Sequence, residues 1–247
     1  LTLLPPGEAL PTGELRALAD EALARRIAAM PRLPLTHEAH KRMSLAGAQH
    51  KLAVVLRDGE LYEPVGAAPS THILKPDHPE RAFAHSVINE WFCMRLAARV
   101  GLAVPSVNRH YVPQPVYLIE RFDRQAQGET WQRLHCIDAC QMLGLDRHFK
   151  YQAGSIERLV QLLGLTTAPA VARTRLFNWL LFNVLIGNTD AHLKNISFLI
   201  GPRGQQLSPF YDLLSTAVYE TRAFDQDRWP QAITLAWPIL GESHLAR

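Results

Sequence analysis

The chain has 247 residues, 47% of them apolar and 20% charged, a composition that excludes disorder, collagen and coiled coil and leaves room for one large core or two lobes. Its 26 Lys and Arg against 23 Asp and Glu give a formal charge of +3 without a basic block, so charge alone names no nucleic-acid partner. Apolar runs such as Leu52 to Leu56 and Trp179 to Phe182 fall far short of the roughly 18 residues needed to span a bilayer, and no membrane role is expected.

The opening LTLLPPGEALPTGEL has neither a basic nor a long apolar region, so it is not a secretory signal and the cytoplasm is the expected compartment. Leu1 in place of Met points to a stretch missing in front. Residues 1–40 read as an N-terminal helical extension, in which Thr12 caps a helix and Leu15, Leu18, Ala22, Leu23 and Ile27 keep a 3.6-residue period up to Pro31. From Lys51 the period becomes two, with Leu52, Val54 and Leu56 on one face, the hairpin signal Asp58-Gly59, then Leu61 and Tyr62. A strand from His72 to Lys75 is closed by Pro76. The spacing then predicts a helix over 80–100, with Phe83, Val87, Trp91, Met94, Leu96 and Ala97 inward and Gly101 as its stop. Val107 to Val112 and Val116 to Phe122 read as strands. Beyond Asp123 strand signals fade, and helices are expected near 135–144, 155–164 and 169–187. A last strand pair, Ile196 to Ile200 and Gln206 to Ser208, is joined by the turn Gly201-Pro202-Arg203-Gly204. A β-rich part over 41–122 and a helical part over 123–247 make an α+β chain of two lobes with a cleft between them, joined near Arg121 to Arg124. Cys93, Cys136 and Cys140 lack the clustered partners of a metal site and read as buried, reduced thiols.

The polar island Gly187-Asn188-Thr189-Asp190-Ala191-His192-Leu193-Lys194-Asn195 follows a strongly apolar helix and precedes a strand. Asp190 and Asn195 have the spacing at which a kinase catalytic loop holds its base and a metal-binding amide, although a turn with Asx capping has the same spacing. Further on, Asp212 in Phe210-Tyr211-Asp212-Leu213 stands just past the hairpin, as a metal-binding carboxylate or as a plain turn residue. Two carboxylates and an amide at the two ends of one hairpin suit Mg²⁺, which takes a few hard oxygen ligands and keeps several waters. In the front half, the small residues of Ser44-Leu45-Ala46-Gly47-Ala48-Gln49-His50-Lys51 let backbone N–H groups approach phosphate, or else simply lead into a strand. Lys75 at a strand end can reach nucleotide phosphates, with Glu90 on the next helix as ion-pair partner and Asn89 leaving that choice open; a solvated lysine is the alternative. Backbone groups of Glu120 and Phe122 at the junction can meet an adenine edge, and a rim pair of Glu120 with Arg121 is the plain alternative.

These segments, together with His72-Ile-Leu-Lys75-Pro76, Asn89-Glu90-Trp-Phe-Cys, Glu120-Arg-Phe-Asp-Arg124 and Tyr211-Asp212-Leu-Leu-Ser215, occur in the order seen in HipA-like serine/threonine kinase toxins, which the chain resembles. The resemblance implies a two-lobed protein-kinase-like fold, ATP and Mg²⁺ as cofactors, and a bacterial toxin–antitoxin role. Its substrate would be a translation protein, notably an aminoacyl-tRNA synthetase. It makes Asp190 the catalytic base, Asn195 and Asp212 the Mg²⁺ ligands, and Lys75 the phosphate-binding lysine. Ala46, Gly47, Ala48 and Gln49 become the phosphate loop, Glu120 and Phe122 the adenine contacts, and Ser44 the inhibitory autophosphorylation site. A helix-turn-helix antitoxin is the implied partner, with DNA reached only through it. About forty residues before the phosphate loop match the short HipT-type members, whose N-terminal subdomain is a separate small protein. Only 35 residues follow Asp212, so the C-lobe is expected to be incomplete. His50 stands where the family often has an acid. The rival readings are a catalytically silent relative that binds an antitoxin, or a small-molecule kinase.

Overall fold

The computed structural model describes residues 12–30, 50–128, 130–146, 150, 155–219, 234–239 and 242–244. The first lobe is a six-stranded antiparallel sheet in the order β1-β3-β2-β4-β6-β5. Its strands are β1 (Gly13–Ala17), β2 (Leu52–Arg57), β3 (Glu60–Gly66), β4 (His72–Pro76), β5 (Val107–Val112) and β6 (Gln114–Glu120), with α1 (Asp20–Ala29) and α2 (Ser86–Arg99) beside them. Asp58 and Gly59 both take positive φ, at +52° and +85°, the two-residue loop whose twist matches the strands it joins.

The segment after Thr12 departs from the helical expectation. Gly13–Ala17 pair with Gly66 to Tyr62 of β3, and the helix begins only at Asp20. Leu15 and Leu18 fit a helical period, but pairing with a distant strand satisfies their backbone instead. Gly66 permits the approach: it sits at φ +63°, and a Cβ there would lie 2.4 Å from the carbonyl oxygen of Thr12. From there α1 folds over the sheet, burying Leu23 among Leu52, Val54, Leu61, Leu74 and Leu118, while Arg26 forks onto Glu63 at 3.2 and 3.3 Å.

On the opposite face α2 packs Val87, Met94 and Ala97 against Val107, Tyr117 and Ile119. Leu96, expected inward, faces solvent with Phe92 and Val100. The helix starts at Ser86 because Arg81–Phe83 form a separate 3₁₀ turn, and the Asp77 carboxylate accepts the Val87 N–H at 2.8 Å at the positive end of the helix.

The second lobe contains more strand than expected. The polar hairpin β7 (Arg124–Gln127) and β8 (Thr130–Arg133) follows the junction. The helix expected over 135–144 divides into β9 (His135–Asp138), which pairs with β10 (Ser197–Gly201), and α3 (Ala139–Met142). Asp138 makes the division: it ends the strand opposite Ser197 and caps α3 in a reciprocal box with Gln141. Then come α4 (Ile156–Gly164), α5 (Pro169–Ile186), β11 (Gly204–Leu207), β12 (Thr234–Ile239) and β13 (Glu242–His244). Pro169 opens α5, and Gly187 in the left-handed region at φ +64° closes it. The buried side of α5 carries Leu176, Trp179 and Phe182 into one core with Leu159, Leu193, Phe198, Phe210 and Trp237, continuous with α2. Among the described residues no helix is long and apolar enough to cross a membrane.

Candidate active site

Between the lobes lies a cleft of about 530 Å³. Its walls mix apolar Ile73, Ile119, Phe122 and Ile137 with the charged groups Lys51, Lys75, Glu90, Asp190, Lys194 and Asp212. Lys75 is the residue at which β4 reaches the cleft, and its buried ammonium lies 2.8 Å from Oε1 of Glu90 and 2.5 Å from Oδ1 of Asp212. Glu90, rather than Asn89, is thus the ion-pair partner of Lys75. Asn89 turns its amide toward Ser215, donating to the Ser215 carbonyl at 2.8 Å and accepting the Ser215 N–H at 2.9 Å.

One ammonium serves two carboxylates, and their protonation follows from that. Burial alone would lower the pKa of Lys75, but Asp212 and Glu90 reverse this and hold it above its usual range. Burial raises Glu90, because Lys75 compensates it only in part and Asp212 repels it. Asp212, although partly buried, is held below the carboxylate range by Lys75 and then by Lys51. Lys51 itself is lowered by burial, against the pull of Asp212. Asp212 is therefore ionised at neutral pH, and its side chain keeps 35% of its surface open. It also sits at φ +54°, a conformation that a non-glycine residue holds only when its surroundings enforce it.

The loop after α5 delivers the remaining groups. The Gly187 carbonyl accepts the backbone N–H groups of Thr216 and Ala217 at 3.1 Å each, so the loop rests on the segment after Asp212. Asn188 accepts the Asp190 N–H at 3.1 Å and donates to Asn183 at 2.7 Å. Asp190 lines the cleft, partly exposed, with Oδ1 3.9 Å from Nε2 of His192. Burial lowers the His192 pKa against the pull of Asp190. Asn195 accepts the His192 N–H at 3.0 Å through Oδ1 and donates to Oδ2 of Asp212 at 3.3 Å.

The donor set fits a hard divalent ion. Asp212 offers a charged, partly open carboxylate, and Asn195 stands beside it as a second oxygen-bearing group; two protein ligands leave Mg²⁺ the waters and phosphate oxygens it prefers. Asn195 becomes an oxygen ligand only with its amide turned, since here its NH₂ group faces Asp212.

At the junction Phe122 stacks on Tyr211 at 5.5 Å between ring centres, and Glu120 and Phe122 both line the cleft. Arg121 takes no rim pair with Glu120 but grips Asp123 at 2.7 and 2.9 Å. The structure thus gathers Lys75, Glu120, Phe122, Asp190, Asn195 and Asp212 around one space. The phosphate-loop residues Ala46, Gly47, Ala48 and Gln49, and Ser44 with them, lie outside the described residues. Sequence reasoning assigned no role to Lys51, His192 or the pair of Lys194 with Asp138 at 2.5 Å. The lysines carry no local signal, because only the fold turns them inward.

Comparison with known proteins gives this geometry its relatives. The description of the family model that matches residues 43–244 is "HipA-like C-terminal domain". A Sinorhizobium fredii protein named "Putative kinase Y4mE" is 40% identical over 217 residues, covering 85% of this chain and 51% of that protein. The "Serine/threonine-protein kinase toxin HipA" of Shewanella oneidensis is 34% identical over 238 residues, covering 89% and 54%. A solved complex of Shewanella oneidensis HipA with HipB and operator DNA superposes with a TM-score of 0.80 and 33% identity over 98% of this chain and 58% of that one. The Helicobacter pylori proinflammatory kinase CtkA shares the fold alone, at a TM-score of 0.50 and 17% identity, over 71% of this chain and 57% of that one. The two-lobed α+β fold is therefore kinase-like, as the sequence implied. The chain spans about half the length of the curated relatives it matches. With the family's domain recognised from residue 43 to residue 244 and a toxin relative superposing on nearly all of it, the chain belongs to the HipA-like C-terminal domain family.

Proposed function

We propose that the chain is the kinase part of an ATP-dependent serine/threonine protein kinase that acts as the toxin of a toxin–antitoxin pair. The observation that carries this reading is the triad of Lys75, Glu90 and Asp212, with Asn195 and Asp190 beside it in a single cleft. Phosphoryl transfer asks mainly for positioning and charge neutralisation, and these groups are of the kinds it uses. The names of the curated relatives, a kinase toxin and a kinase, support the same reading.

In this mechanism the apolar wall of Ile73, Ile119 and Phe122 takes the adenine, with backbone groups of Glu120 and Phe122 at its edge. Lys75, fixed by Glu90, neutralises phosphate oxygens. Asp212 and Asn195 would hold Mg²⁺, which when bound would neutralise phosphate charge. Asp190, open to the cleft, orients the attacking hydroxyl and takes up its proton. Ser44 would be the self-phosphorylation site, its phosphate adding nearly two negative charges beside those of ATP. The complex of HipA with HipB and operator DNA supports an antitoxin as partner, with DNA reached through it; a helix-turn-helix antitoxin is the kind the resemblance favours. A translation protein, such as an aminoacyl-tRNA synthetase, is the substrate class the resemblance favours.

Intact mass after incubation with MgATP tests the reading. One added phosphate, mapped to Ser44 and absent from Asp190→Asn, is the expected result. No added mass together with retained MgATP affinity would favour a silent, nucleotide-binding relative. No affinity at all would overturn the kinase reading.

A further inference from the structure

We infer that Asn89 is a positioning residue that sets the place of α2, and hence of Glu90, relative to Asp212; this rests on the kinase reading proposed above. Asn89 and Glu90 are neighbours on α2, so their side chains leave the helix about 100° apart. Glu90 points to Lys75, while Asn89 points across the cleft wall to the segment that follows Asp212. There its amide behaves like the edge of a β-strand. It accepts the Ser215 N–H at 2.9 Å, donates to the Ser215 carbonyl at 2.8 Å, and donates to the Tyr219 hydroxyl at 3.0 Å.

The residue after Ser215 continues the connection. Thr216 is fully buried, its hydroxyl donating to the Gly187 carbonyl at 2.8 Å and accepting the Thr189 N–H at 2.8 Å. Hydrogen bonds therefore run from α2 through Asn89, Ser215 and Thr216 into the loop that carries Asp190. The phosphate-side lysine pair and the loop of the base share one strut, held by side-chain amide and hydroxyl groups. An amide is the fitting group, since it alone offers an acceptor to the Ser215 N–H and donors to the carbonyl and the phenol.

The test compares Asn89→Ala, Asn89→Asp, Glu90→Gln and the Asn89→Ala/Glu90→Gln double variant. The single-turnover rate of self-phosphorylation is measured against MgATP concentration, beside hydrogen exchange of α2 and of residues 213–219. Asn89→Ala is expected to lower the saturating rate on the order of ten- to a hundredfold, the scale of a small misplacement of reacting groups, with a much smaller change in half-saturating MgATP. Asn89→Asp, which still accepts the Ser215 N–H but turns an acceptor instead of a donor toward the Ser215 carbonyl, falls between. If Asn89 works through Glu90, the double variant is no slower than Glu90→Gln. Multiplying losses, or an Asn89→Ala rate equal to wild type, would overturn the inference. A wild-type chain that transfers no phosphate sinks the kinase reading instead, and exchange then decides the strut: faster exchange in both segments of Asn89→Ala supports it, and unchanged exchange removes it.

Discussion

Asp138 divides its carboxylate between two tasks, accepting the Gln141 N–H at 2.8 Å with Oδ1 and holding the Lys194 ammonium at 2.5 Å with Oδ2. The start of α3 and the loop between Asp190 and Asn195 are thereby fixed to one side chain. Because β9 pairs Asp138 with Ser197, that side chain is itself held in register with the strand leaving the loop.

Asp138→Asn keeps an N-cap but loses the charge facing Lys194, and is expected to cost about 1 kcal/mol; Asp138→Ala loses both and should cost about 2 kcal/mol. Urea unfolding of the two variants measures the difference. Equal losses would mean that the cap contributes nothing.

The triad predicts a pH dependence of definite sign. Glu90 is raised above its ordinary 4.5 by burial, so the folded chain holds that proton more tightly than the unfolded one. Its contribution to stability is full below 4.5 and is lost as pH rises through the raised value. Asp212, lowered from 3.8, works in the opposite sense: its contribution is present above 3.8 and is lost as pH falls through the lowered value. Glu90→Gln removes the first effect alone. The unfolding free energy of the wild type minus that of Glu90→Gln should therefore decline as pH rises above 4.5, and a difference independent of pH would show that Glu90 is not raised.

Burial pushes the thiols of Cys93 and Cys136 up to about 11, and raises Cys140 as well. The thiolate is the reactive form, so iodoacetamide at neutral pH should label Cys93 and Cys136 on the order of a hundredfold more slowly than in denaturant. Cys136 alone of the three lines the cleft, and under the kinase reading MgATP slows its labelling further while leaving Cys93 unchanged. Mass spectrometry of the labelled peptides reads both effects.

Trp237 packs against Trp179 with ring centres 6.3 Å apart and gives its indole N–H to the Ala191 carbonyl at 2.5 Å. Trp237→Phe retains a ring in the core but leaves the carbonyl beside Asp190 without that donor, at an expected cost of ~1–3 kcal/mol. Denaturant unfolding measures it. A change below the scatter of replicate measurements would show that water replaces the indole.

Much of the fold is legible where the determinants are local. Asp58-Gly59 dictates its hairpin by turn chemistry, and Pro169 and Gly187 bracket α5 as their backbone preferences require. The misreadings share a cause. Leu15 and Leu18 kept a helical spacing, as did Cys136 and Cys140, yet Gly13–Ala17 and His135–Asp138 are strands because β3 and β10, distant in sequence, accept their hydrogen bonds. The hairpin of β7 and β8 carries only Ala126 and Trp131 among polar residues, too few to give an alternation to read. At the candidate site, the spacing of Asp190, Asn195 and Asp212 was visible because one loop and one hairpin present all three. The convergence of Lys194 with Asp138 was not, since it depends on the pairing of β9 with the distant β10, and the approach of Lys51 was not, since it depends on how the two lobes meet.

The distance along the chain between Lys75 and Asp212, 137 positions, has a consequence in time. A polypeptide leaves the ribosome N-terminus first, and its front lobe can begin to fold while the rest is still being made. At that stage β4 and α2 can already bring Lys75 and Glu90 together, but the acidic group opposite them, the loop of Asp190 and the strut through Ser215 have not emerged. The order of synthesis therefore works as a delay, and a nascent chain has no complete triad of Lys75, Glu90 and Asp212 until residues 211–219 are free of the exit tunnel.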